Sequence, residues 1–164
     1  MKRTALVCSL ILALAVAVTA AAPGGQKGKT VPREVSGVMD GRFTFEGPWE
    51  GPWTTSGDVE GTLSHLGLAQ MLTTHTASPD GTISGGTFTI VAANGDEIRG
   101  TYTASGEWIS GTQVLGAAFL SVEEGTGRFA GASGMINAGF LETFDDPYFA
   151  SAAVTWSLNG TVRY

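Results

Sequence analysis

Between Gly37 and Tyr164 no stretch repeats its apolar residues at helical spacing over three turns, and that absence constrains the fold of this chain more than any other feature. What the segment carries instead is a period of two. In GRFTFEG, Phe43 and Phe45 fall on one face, with Arg42, Thr44 and Glu46 on the other. In GDVEGTLSHL, Val59, Gly61, Leu63 and His65 alternate against Glu60, Thr62 and Ser64. Near the C-terminus, Val154, Trp156 and Leu158 oppose Thr155, Ser157 and Asn159. Alternation of this kind sends one face of a strand to a core and the other to solvent. Turn chemistry separates the segments: SPDG at Ser78 to Gly81, and Asn94-Gly95 before Asp96, a pair suited to a type I′ hairpin because both residues tolerate positive φ.

With LGLAQMLTTHTA, TISGGTFTIVAA, DEIRGTYTA, QVLGAAFLSV and SGMINAGFLET added, the chain supplies about eight strands. A closed sheet of that size has an interior just wide enough for side chains or one small ligand. The expected fold is therefore all-β, an eight-stranded antiparallel barrel of calycin-like shape. The 24 glycines suit it, since a small curved barrel uses glycine at bends, bulges and close strand approaches.

The start of the chain reads differently. Lys2 and Arg3 precede an apolar run from Ala5 to Val18 and then small residues through Ala22, the order of a secretory signal peptide. A cut after Ala20 is expected, with Ala21 and Ala22 as alternatives, and the product would be secreted or periplasmic. The run is shorter than the roughly 20 residues that span a bilayer as a helix, so the mature chain is not expected to be membrane-embedded. Residues 21–36, AAPGGQKGKTVPREVS, read as a flexible leader, and residues 37–164 as the barrel domain. Cys8, the single cysteine, lies in the segment to be removed, which leaves no thiol for a disulfide, a metal or a nucleophile.

Loss of Lys2 and Arg3 leaves seven basic against 15 acidic residues, a net charge of about −8. Arg42, Arg99, Arg128 and Arg163 stand far apart in sequence, and a nucleic-acid surface needs its basic residues clustered, so nucleic acid is excluded as a partner.

Residues 125–131, GTGRFAG, carry G-x-G-x-x-x-G spacing after a strand. A dinucleotide cradle needs a helix next, whose N-terminus holds the pyrophosphate. Residues 132–142, ASGMINAGFLE, have no helical period, so Gly125 and Gly127 are expected to form a tight connection, with Phe129 folding its ring into the core. No cofactor is called for. The run G-T-G-R-F-A-G-A-S-G at 125–134 resembles the motif of the allene oxide cyclase and dirigent barrel superfamily, in particular its small secreted bacterial members. S-H-L-G at 64–67 and A-A-N-G-D-E at 92–97 are similar to two further elements of that group, and the three come in the expected order. Glu124 departs from the pattern, standing where a first glycine is usual. The resemblance implies the eight-stranded barrel and self-association like that of the often trimeric plant relatives. It implies no activity, because the plant enzymes' catalytic residues lie outside the matched stretches.

Among residues able to do chemistry, His65 is placed by alternation on the inward face, where it can meet a ligand or be satisfied by a backbone carbonyl. His75 is the second candidate for ligand contact. No H-x-H or H-E-x-x-H spacing links the two, so no metal site is expected. Glu142, Asp145 and Asp146 read as a solvated acidic loop before Pro147, without the Asp-x-Asp-x-Asp-Gly pattern of a calcium loop. Trp49, Trp53, Trp108 and Trp156 allow sugar stacking, or serve as core and as plugs over a barrel end. Asn159-Gly160-Thr161 matches a glycosylation acceptor within a strand, and no G-x-S-x-G elbow is present. The function these features point to is a secreted, non-catalytic barrel that serves as a binding or interaction module for a small apolar or amphipathic molecule. The alternative is a cyclase or isomerase that holds a reactive lipid or phenolic in one conformer.

Overall fold

The computed structural model describes residues 31–48, 50–145 and 148–164. The expected signal peptide and most of the expected leader lie outside them. Eight strands run β1 (Pro32–Glu46), β2 (Trp53–Leu63), β3 (Gly67–Ala77), β4 (Thr82–Ala92), β5 (Glu97–Trp108), β6 (Gln113–Gly125), β7 (Ser133–Phe144) and β8 (Ser151–Arg163). Each pairs antiparallel with its neighbours in sequence, and β8 returns to β1 to close the barrel. Among the described residues no helix is long and apolar enough to cross a membrane.

Strand β1 begins at Pro32, inside the segment read as leader. Its first residues point outward, and Val35 is the first to be fully buried; two valines, Val31 and Val35, among Lys, Pro, Arg and Glu give no visible period. Proline is tolerated there because the first residue of a strand need not donate to the ladder. The β4–β5 turn also differs from the type I′ expectation. The Gly95 N–H donates to the Ala92 carbonyl, so Ala93 and Asn94 are its central residues, and Gly95 alone takes a left-handed φ of 82°.

The two ends of the barrel are built differently. Connections β2–β3, β4–β5 and β6–β7 meet at a closed base, where Phe129 is fully buried and set edge-on to Tyr164 at 4.8 Å between ring centroids. The Arg128 guanidinium covers the Phe129 ring at 4.5 Å and donates to the Leu66 carbonyl at 3.1 Å. Above this plug the lower lumen is packed by Val35, Met39, Leu63, Met71, Ile90 and Ile136.

A layer of rings follows, contributed mostly by alternate strands: Phe43 from β1, His75 from β3, Tyr102 from β5 and Phe140 from β7, with Trp156 from β8 among them. Three of these rings lie directly across the sheet from a glycine, in the pairs Phe43–Gly57, Tyr102–Gly86 and Phe140–Gly116. A Cβ on any of the three glycines would collide with the facing ring. Glycine on the even strands thus makes the room that large rings on the odd strands occupy.

Candidate functional site

Above the ring layer the barrel is hollow. The connections β1–β2, β3–β4 and β7–β8 and the strand ends beside them surround a cavity of about 600 Å³. Its rim is aromatic: Trp108 stacks on Phe144 at 5.3 Å, Phe144 meets Phe45 at 5.2 Å and Phe149 at 5.1 Å, and Trp53 and Tyr148 complete the lining. Trp108 is 54% exposed and Tyr148 is 79% exposed, so this end presents rings to solvent that a packed barrel would bury.

Few polar groups face the space. His75, buried on β3, bonds through Nδ1 to the Tyr102 hydroxyl at 2.5 Å. Burial holds the imidazole down at about 4, so it is neutral at physiological pH, and burial holds the Tyr102 phenol above its ordinary range. A neutral imidazole joined to a neutral phenol keeps one further N–H or O–H to offer. Glu142 lies on the lumen face of β7 between Phe140 and Phe144, only 5% exposed. No described residue donates a hydrogen bond to its carboxyl, and burial raises it to about 7. Beside the ring layer, Thr55 Oγ1 and Trp156 Nε1 are buried without a hydrogen-bond partner among the described residues. Among the described residues no Lys or Arg lines the cavity.

These positions correct parts of the sequence reading. Strand β2 ends at Leu63, and the chain reverses through His65, which takes a left-handed φ of 63° and is exposed at the base. It does not point inward, and most of strand β3 separates it from His75. Glu142 belongs to the lumen and not to a solvated loop; its neighbour Asp145 is the surface residue, paired with Arg42 at 2.8 Å. Asp146 and Trp49 lie outside the described residues. Of the remaining tryptophans, Trp156 is core while Trp53 and Trp108 border the mouth.

The residues of the three sequence motifs gather at the base. Asn94 donates to the Asp96 carboxylate at 2.7 Å, and the Arg128 N–H donates to the same carboxylate at 3.1 Å, which ties the β4–β5 turn to the β6–β7 connection. Those bonds, that from Arg128 first, hold Asp96 below the usual carboxylate range. Residues Gly127–Phe129 form a single 3₁₀ turn and no helix follows, so the phosphate-cradle geometry is not built. Gly127 has φ 52°, and a Cβ there would strike the Asp96 carboxylate; at Gly125 a Cβ would strike the Phe129 carbonyl.

No family model matches the chain, and no curated protein does. Among solved structures it is similar to that of the pterocarpan synthase dirigent protein GePTS1, with a TM-score of 0.47 and 12% sequence identity over 85% of this chain and 89% of that one. At that level of similarity nothing about the site is carried across. The site is described by the lumen's own residues: an aromatic mouth, an enclosed apolar space and two ionisable groups at depth.

Proposed function

We propose that this chain is a binding module that takes one small amphipathic molecule into the mouth of its barrel, apolar body among the rings and polar end toward Glu142 and His75. The observation that carries this reading is the asymmetry of the lumen. One half is filled to the base, while the other keeps about 600 Å³ open beneath exposed rings. Pockets for small ligands combine this kind of apolar lining with a few placed polar groups.

A neutral, polarity-sensitive dye such as N-phenylnaphthylamine tests the reading. We expect saturable binding at one site per chain, and loss of that binding in Ala77→Trp, where the new indole would occupy the cavity that Ala77 lines. Dye binding that survives this substitution would place the site elsewhere; no binding to the wild type would remove the proposal.

Two further proposals accompany it. Export of the mature chain after cleavage near Ala20 follows from the N-terminal sequence and is read from the mass of the product recovered outside the cytoplasm. Self-association would use the outer face of β6 and β7, where Leu115, Phe119 and Met135 are each more than half exposed. Light scattering of wild type and Phe119→Lys measures it.

A further inference from the structure

Among the described residues Glu142 is the one carboxyl that lines the largely apolar mouth of the lumen, and its surroundings show what it lacks. Its sheet neighbours are Val114 on β6 and Val154 on β8, neither of which can pair with a charge. Among the described residues the titratable groups around it are His75 from β3 and Tyr148 at the rim, which line the same space, and Tyr102 from β5, which feels the Glu142 charge. His75 and Tyr102 are bonded to each other and both neutral. Among the described residues no Lys or Arg forms an ion pair with Glu142. A buried carboxylate without a counter-charge is strongly disfavoured, so the carboxyl either stays protonated or pairs with a cation.

The rim supplies the rest of a cation site. Trp53, Trp108, Phe45, Phe144 and Phe149 line the same space, and ring faces attract ammonium groups most strongly where water is excluded. An anionic ligand would meet like charge at depth. A neutral one would bring no counter-charge. We infer that the ligand of this cavity is an amphipathic amine, its apolar part among the rim rings and its ammonium paired with the Glu142 carboxylate. The inference rests on the mouth being a binding cavity at all, and the test separates the two.

The probes are naphthylmethylamine and naphthylmethanol, which share one apolar body and differ in the charged end, titrated by calorimetry into the full-length mature chain. At about pH 8 the amine should bind at least about tenfold more tightly than the alcohol, the least expected of a charge-assisted bond. Glu142→Gln should abolish that preference by weakening the amine far more than the alcohol. In the wild type, amine affinity should decline as the pH falls below about 7, where the empty site's carboxyl takes up a proton, and the alcohol's should not. This pH series needs no variant, so it decides the matter even if Glu142→Gln fails to fold. Equal binding of the two probes overturns the amine inference and leaves the cavity reading standing. Binding of neither overturns both.

Discussion

Substituting Glu142 by Gln should stabilise the fold, and only at high pH. Burial holds the Glu142 carboxyl at about 7 against an ordinary 4.5, and holds His75 at about 4 against an ordinary 6.5. Between pH 4.5 and 6.5 the unfolded chain protonates His75 and not Glu142, while the folded chain does the reverse. The two states then bind equal numbers of protons at this pair, and its contribution to the pH dependence of stability cancels. Removing Glu142 removes one side of the balance. With His75 alone, stability rises with pH at about 1.4 kcal/mol per pH unit until the unfolded histidine also loses its proton.

The Glu142→Gln variant should therefore match the wild type near pH 4.5 and gain on it as pH rises, reaching about 3 kcal/mol above pH 7. Urea unfolding followed by tryptophan fluorescence at a series of pH values measures the difference, and the surface carboxylates common to both proteins drop out of it. His75→Gln should tilt the other way, its stability falling as pH rises from 4.5 to 7. A Glu142→Gln gain that is flat with pH, or that shrinks as pH rises, would refute a buried, unpaired carboxyl.

Two perturbations probe the base and one the ring layer. Gly127→Ala should lower stability by more than about 1 kcal/mol, from its left-handed backbone and the collision with Asp96, with dye affinity in the folded fraction unchanged. Phe129→Ala, which empties the plug, should remove about 3 to 5 kcal/mol, read by the same urea titration. Gly116→Ala should cost about 1 to 3 kcal/mol by overpacking and also weaken dye binding, because the displaced Phe140 ring has the cavity as its nearest free space.

The barrel was legible because a period of two states which side chains face inward, and the lumen residues Phe43, Val154, Trp156 and Leu158 obey it. Asn94-Gly95 located the β4–β5 turn although not its type, since the pair can serve either a two-residue turn or the closing half of a longer one. Alternation does not place His65, because the strand ends before it; Ser64 and His65 already belong to the reversal. Glu142 was missed for the opposite reason. The segment Phe140-Leu141-Glu142-Thr143-Phe144 alternates cleanly and puts the glutamate on the face of the two phenylalanines, but proximity to Asp145 made it read as one of a solvated group. Strand periodicity was the better signal there. The hollow mouth had no sequence signature, because whether a barrel end is filled depends on which rings reach across it. The recognisable motifs all lie at the base, where turn geometry demands particular residues.

Nuclear magnetic resonance with naphthylmethanol as the probe tests the central claim most directly, by asking which end of the barrel responds. Saturable shifts confined to mouth residues such as Ile83, Val114 and Gly106, with the base residues Asn94, Gly127 and Phe129 unmoved, are the predicted result. Saturable shifts centred on the base, or an unchanged spectrum at saturating probe, would contradict it.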